Sequence, residues 1–387
     1  MMTCQFTEIL GGAELQCARL TEELRRQVSD IVVLTSRVPG FDASGDEHGT
    51  VRFWTYKAPQ LAGRYLPASL LWAAKALYWI ARHRGEISIL HCHQLRINAY
   101  VAAMANWLWG IPTVMKPGVG GKRNDFKVIG SHKYVFGRRG ARFVANHSSA
   151  VVAISSEIAE NCIQMGIPQD RIHRIGNGAT PEILHAVDKG EQAARVSSYL
   201  TECRLIYAGR LSPEKNVGLL AEALSTIYTS RPGRMTFAGE GPLRASIEEV
   251  AKKTKSIEIE APGRVGDIAE RLRRCHFSLV VSQDEGLSNF LIEAAVCGTV
   301  PIVSLASGNR DVVPFADYPL VVEEPTVSSL ARAIQSAFAM ELDDWQEWSL
   351  RVSEYARAEF DLTSVAEKYL RLYDQLRQVP MHSDDER

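Results

Sequence analysis

The chain lacks the spacings that build common metal centres: Asp-x-Asp, His-Glu-x-x-His and Cys-x-x-Cys do not occur, so no metal is expected. It also lacks a charge bias. Its 44 basic and 45 acidic residues leave a net charge of -1, which removes the whole-chain case for a nucleic-acid partner and makes any electrostatic targeting local. The longest apolar runs, 66–81 and 97–111, are too short or too interrupted to span a bilayer, the first carrying Lys75 in its middle. The first residues show no basic start followed by an apolar core, so no signal peptide is expected. Seven scattered cysteines (Cys4, Cys17, Cys92, Cys162, Cys203, Cys275, Cys297) read as buried apolar side chains in a reducing cytosol.

What is present is length enough for two domains, 387 residues with 46% apolar side chains. Apolar positions Cys17, Leu20 and Leu24 repeat at helical spacing after Gly12. Strand-like runs at 31–35, 51–54, 87–91, 112–115 and 151–154 then alternate with helix-length segments. This predicts a doubly wound parallel sheet over 1–178. Glycines around 174–178 and the polar stretch after them predict a linker over 179–200. A second alternating series, with strands near 205–208, 234–238, 257–259, 277–281, 300–303 and 320–322, predicts a second Rossmann-like domain over 201–360. Amphipathic helices follow at about 342–358 and 362–376, anchored by Trp345, Trp348, Tyr369 and Tyr373, and 379–387 read as a polar tail.

Two glutamates, Glu285 and Glu293, stand eight positions apart after the apolar run 277–281. The order reads as a buried strand, a turn at Gly286, and a helix opened by Ser288 or Asn289. Such a turn aims backbone N–H groups and a helix dipole at its ligand, favouring a phosphate or a polyhydroxylated group, with a carboxylate on each side to accept from hydroxyls. The segment resembles the Glu-x7-Glu segment of the family-four retaining glycosyltransferases, nucleotide-sugar-dependent enzymes of the two-domain GT-B fold.

The run 207–216 strengthens the likeness. A strand ends at Gly209 and is followed by Arg210 and Lys215, similar to the family's Gly-Arg-Leu and Lys signature. Fixed cations there stabilise charge developing on a departing diphosphate. Gly239-Glu-Gly241-Pro matches the family's Gly-x-Gly-Pro turn, and Gly263-Arg264-Val265 follows a strand where the family meets the base. In the first domain His93 resembles the histidine beside the donor sugar, and strand alternation expects His91 to be the buried one. Gly11 and Gly12, opening a helix, and Gly120 and Gly121 read as loops for an acceptor or a phosphate.

The resemblance implies two Rossmann-like domains facing a cleft, with a C-terminal helix over 361–378 crossing back to the first domain. It implies that Glu293 holds the ribose, and that Glu285 with the 286–289 turn (Gly286, Leu287, Ser288, Asn289) holds the sugar and phosphate. Arg210 and Lys215 would face the diphosphate. A UDP-sugar is favoured over a GDP-sugar, the acceptor is a glycan or lipid-linked hydroxyl, and no cofactor is needed. Sugar-nucleotide epimerases and non-catalytic nucleotide-binding relatives share the fold and remain alternatives. Between 116 and 142 eight basic residues face one acid, Asp125, and 66–84 carries Trp72, Tyr78, Trp79, Arg82 and Arg84. Both segments are candidates for peripheral contact with a membrane on its cytoplasmic side.

One departure concerns the start. The family has a strand before the Gly-Gly-Ala-Glu turn at 11–14, and Thr3, Gln5, Thr7 and Glu8 make 1–10 a poor buried strand. Either the natural start lies upstream or a central strand is missing, and the first is expected, since a missing strand leaves ladder groups unpaired.

Overall fold

A computed structural model describes residues 1–2, 12–28, 30–37, 49–54, 66–121, 124–131, 136–184, 189–229, 231–282, 285–304 and 308–378. The chain divides into two compact units, Met1–Gly178 with Leu362–Arg387, and Ala179–Asp361.

The first unit opens with α1 (Gly12–Arg25), β1 (Val33–Arg37), β2 (Thr50–Trp54), α2 (Leu66–His83) and β3 (Leu90–His93). It continues through α3 (Ile97–Trp109), β4 (Thr113–Lys116), α4 (Asp125–Ile129), α5 (Gly137–Asn146), β5 (Ala150–Ala153), α6 (Ser156–Gln164) and β6 (Ile172–Arg174). The second unit begins with α7 (Pro181–Leu184), α8 (Lys189–Thr201), β7 (Cys203–Ala208), α9 (Val217–Thr226), β8 (Gly233–Ala238), α10 (Arg244–Lys253) and β9 (Ile257–Gly263). There follow α11 (Ile268–Arg274), β10 (Phe277–Val280), α12 (Asn289–Val296), β11 (Val300–Ser304) and α13 (Asn309–Val312). β12 (Val321–Val322), α14 (Val327–Ala339) and α15 (Leu342–Phe360) close it. Finally α16 (Leu362–Gln378) belongs to the first unit, where Tyr369 and Leu372 pack with Leu20 and Leu24 of α1 over the sheet.

Both sheets are parallel. The second unit orders its strands β12-β11-β10-β7-β8-β9, and β10 and β11 are buried on both faces, as their unbroken apolar runs require. The first unit pairs β1 with β2 and runs β3-β4-β5-β6 beside them. Between the two parts stands Met2, bridged in parallel to both Leu34 and Cys92. Its N–H donates to His91 O at 2.7 Å, its carbonyl accepts from His93 N at 3.0 Å, and Leu34 N donates to Met1 O at 2.8 Å. Residues 1 and 2 thus lie where the expected central strand runs and satisfy ladder groups of both neighbours. Residues 3–10, read as a poor strand, lie outside the described residues.

One strand reading is corrected. The strand expected over 87–91 is β3 at 90–93, which places both His91 and His93 inside the sheet. β6 went unforeseen: it is three residues at a sheet edge, only partly buried, with no apolar run to announce it. Residues 189–200 of the stretch read as a linker, 179–200, lie in the helix α8. The six described cysteines are free and buried.

Candidate functional site

In the second unit the singled-out residues gather at the carboxyl ends of β7, β8, β9 and β10, the edge at which open α/β sheets bind ligands. β7 and β10 are neighbours, Leu205 and Ile206 pairing with Phe277 and Ser278, so the loops that follow them meet. Lys215 Nζ donates to Glu285 Oε1, and Ser282 Oγ donates to the same oxygen at 2.8 Å. Asn216, in the left-handed region at φ 54°, sends its side-chain N–H to Val281 O at 2.7 Å and ties the same two loops a second time. Further along, Ser304 Oγ donates to Ser282 O at 3.1 Å, and Asn309 Nδ2 to Ser304 O at 2.9 Å.

Glycines set how closely these loops approach. Gly239 has φ 155°, and a Cβ on it would lie 1.8 Å from Gly209 O, so no other residue fits there. A Cβ on Gly241 would lie 2.2 Å from Leu211 O. Gly209 N donates to Ala238 O and Gly239 N to Gly263 O, joining the ends of β7, β8 and β9 in one ledge.

Beyond β10, Gly286, Leu287 and Ser288 are buried and Asn289 is half-buried. Ser288 caps α12, its Oγ accepting from Leu291 N at 3.3 Å. The carboxylate of Glu293 lies on this helix and is buried. Arg210 stands apart: its side chain is 68% exposed and among the described residues pairs only with Glu214, at 3.8 Å, while Tyr207 Oη donates to its carbonyl at 2.9 Å. Arg264 is exposed and Val265 half-buried beyond the end of β9. The structure therefore brings Lys215, Glu285 and the start of α12 together and leaves Arg210, beside Glu214, and Arg264 as exposed cations on the same edge.

The first unit gives a different picture of its histidines. Residues i and i+2 of a strand share a face, so alternation cannot separate His91 from His93. The two rings stack at 4.2 Å between centroids and both are buried, which corrects the expectation that only His91 would be. His91 Nδ1 meets Tyr373 Oη at 2.6 Å, while Nε2 of each ring has no partner among the described residues. Burial holds both rings well below the usual histidine range, so both are neutral. Lys116, the register partner of His93, is buried over the Tyr369 ring at 5.5 Å, and burial lowers its pKa to about 8.

After β4, the 118–121 loop is held by Asp125. That carboxylate is fully buried and accepts from Gly118 N at 2.7 Å and from Arg96 at 2.8 Å. Gly121 has φ 73°, Gly120 is buried, and Asn124 caps α4 by accepting from Lys127 N. Gly12 starts α1, and Gly11 lies outside the described residues, as do Lys122, Arg123, Lys133 and Asp284. Sequence reasoning missed Ser282, Asn216 and Lys116 as members of these constellations. Asn216 carried a usable signal, since Asn is among the few residues that enter the left-handed region readily.

Comparison with known proteins gives a consistent account. Residues 11–178 match the model of the glycosyl transferase 4-like domain, and residues 188–359 match that of the glycosyl transferases group 1. An N-acetyl-alpha-D-glucosaminyl L-malate synthase of Bacillus anthracis is 22% identical over 369 residues, 94% of each chain. A GDP-mannose-dependent phosphatidylinositol dimannoside mannosyltransferase of Mycobacterium tuberculosis is 27% identical over 188 residues, 46% of this chain and 48% of that one. Among solved structures, Anabaena HepE in complex with UDP superposes with a TM-score of 0.73 at 17% identity, covering 96% and 98% of the two chains. Sucrose-phosphate synthase of Thermosynechococcus elongatus gives 0.75 at 17% identity, covering 95% and 94%.

Proposed function

We infer the reaction from one premise: the chain belongs to the family-four glycosyltransferases, enzymes of the GT-B fold that transfer a sugar from a nucleotide-sugar donor. We propose that the donor is a UDP-sugar, that transfer retains the anomeric configuration, and that the acceptor is a hydroxyl of a glycan or a lipid-linked molecule in glycoconjugate synthesis. The reading places the chain in the cytoplasm, meeting that acceptor by peripheral contact with a membrane.

The observation that carries the proposal is the Lys215–Glu285 pair beside the start of α12, with Glu293 on that same helix. Lys215 and Arg210 supply fixed positive charge to the diphosphate as its bond to the anomeric carbon breaks. Glu293 accepts from the ribose hydroxyls. Glu285 and the amides of 286–289 hold the sugar and its phosphate at the positive end of the helix dipole. Gly209, Gly239 and Gly241 let the ledge approach the phosphates, and Arg264 and Val265 flank the base. In the first unit, His93 offers a neutral imidazole, and Gly12, Gly120 and Gly121 offer backbone amides, to acceptor or phosphate. The acceptor oxygen attacks from the face the diphosphate leaves, the nucleoside diphosphate departs with the bonding pair, and the acceptor's proton passes to a phosphate oxygen. UDP is favoured because Anabaena HepE was crystallised with it; the GDP-mannose-dependent relative supports the other base.

The test incubates the chain with UDP-glucose, UDP-N-acetylglucosamine and GDP-mannose, with and without glycan and lipid acceptors, following nucleotide release and the anomeric proton of the product. Acceptor-dependent UDP release with an α-linked product supports the reading. GDP release alone, or an inverted product, overturns it.

A further inference from the structure

The helices α2, α3 and α5 contain neither Asp nor Glu. α3 packs against both of the others, so the three form one layer on the first unit. Inward positions such as Trp72, Ala76 and Ile80 of α2 and Val144 of α5 are buried, as an amphipathic helix on a sheet requires.

The outward positions depart from that rule. Leu70 and Tyr78 on α2, Trp107 and Leu108 at the end of α3, and Phe136 at the start of α5 are all about half exposed or more, from 47% to 68%. These are five of the ten large apolar side chains exposed among the described residues, so exposure is concentrated here. Two ring contacts make the α3–α5 part continuous: Phe136 on Tyr100 at 5.2 Å, and Trp107 edge-on to Phe143 at 6.3 Å.

Charge sharpens the case. Arg138, Arg139 and Arg142 of α5 are exposed and form no salt bridge among the described residues. In the second unit, by contrast, Arg244, Arg271, Arg274 and Arg351 each lie beside a carboxylate, as ordinary solvated surfaces do. The acid that precedes α5 in sequence, Asp125, is spent on Gly118 and Arg96 inside the fold. Among the described residues no helix is long and apolar enough to cross a membrane. Exposed aromatic rings beside unpaired arginines, on helices that do not span, suit the boundary of an anionic bilayer, where rings enter the headgroup region and guanidinium groups pair with phosphate oxygens.

We propose that the α2–α3–α5 layer docks the chain onto an anionic phospholipid bilayer, with Trp107 and Phe136 entering the headgroup boundary and Arg138, Arg139 and Arg142 on the lipid phosphates. The inference rests on the proposed function's peripheral membrane contact and deepens it by naming the face that docks and the lipid charge it meets.

The experiment is co-sedimentation of the full chain with vesicles of phosphatidylcholine alone and of phosphatidylcholine with phosphatidylglycerol in equal parts, without donor. The wild type binds the anionic vesicles only, and added salt releases it. Each arginine removed lowers that affinity about fivefold, so the Arg138→Gln/Arg139→Gln/Arg142→Gln variant binds about 10²-fold more weakly. Trp107→Ser/Phe136→Ser, at half-exposed positions, also weakens binding while its thermal melt stays close to wild type. Equal binding to both vesicles, or to neither, overturns the proposal. So does a dimer in sedimentation velocity that Trp107→Ser dissolves, since a second copy then covers the face, and so does duplex DNA binding that depends on the arginines without vesicle binding. Nucleotide-induced stabilisation, measured separately, decides the transferase reading whichever way the vesicles fall.

Discussion

Lys215 and Glu285 are joined side chain to side chain, and through them the loop after β7 is fastened to the loop after β10. Both are largely shielded from solvent, so the pair holds its place better than a surface bridge does. Fixed geometry is what charge stabilisation in a transfer reaction needs. Lys215→Ala is expected to lower kcat by about 10²–10³-fold with a smaller change in donor KM, read from nucleotide release. Unchanged turnover in this variant removes Lys215 from the mechanism.

Arg210 tests the same idea without disturbing the fold. Its side chain is 68% exposed and, among the described residues, pairs only with Glu214, so Arg210→Ala should leave the unfolding free energy in urea within about 0.5 kcal/mol of wild type. If the guanidinium meets the diphosphate, turnover falls about 10²-fold. Wild-type turnover refutes the role.

Gly239 is the backbone prediction. Gly239→Ala places a Cβ 1.8 Å from Gly209 O at a φ that L-residues avoid, so the two loops must separate. We expect a loss of about 2–3 kcal/mol in urea unfolding, together with weaker nucleotide binding, because the same ledge shapes both. Gly266→Ala, whose added Cβ meets nothing within 4 Å, serves as the control and should change neither.

Much of this was legible in the chain. The alternation of β-branched runs with helix-length segments gave both sheets because buried parallel strands are nearly continuous apolar runs. Glycines at strand ends marked where the loops after β7, β8 and β9 meet, because close backbone approach demands them. Illegible were features that depend on two distant segments at once. The Lys215–Glu285 pair spans 70 positions and exists only because β7 and β10 are adjacent. The His91–His93 stack was misread for a local reason: two residues apart along a strand means one face, and α16 covers that face with Tyr369 and Tyr373. Met2 completes two ladders with two residues, too few for any periodicity to show.

Acid sensitivity follows from His276. It is fully buried, Nδ1 accepts from Arg204 N at 3.0 Å, and Nε2 donates to Arg195 O at 3.1 Å, an arrangement suited to the neutral ring. Burial lowers its pKa from 6.5 to about 3. Between those values the unfolded chain binds a proton that the folded chain refuses. The stability is therefore complete above pH 6.5 and is lost as pH falls toward 3, by about 1.4 kcal/mol per pH unit. Trp345 Nε1 donates to His276 O at 3.2 Å, so tryptophan fluorescence reports the transition. His276→Gln should be less stable at pH 8 yet flatter between pH 6.5 and 4.5; curves parallel to wild type contradict the assignment.

The central claim is that the edge formed by β7, β10 and α12 is the donor site, and it is tested most directly by calorimetric titration of UDP, GDP and ADP into the wild type and into Glu293→Ala. The account predicts that UDP binds most tightly and that Glu293→Ala loses about 10-fold or more of that affinity, the consequence of removing a charged acceptor from hydroxyl donors. Equal UDP affinity in the two proteins would contradict it, because the nucleotide would then be held elsewhere than at α12.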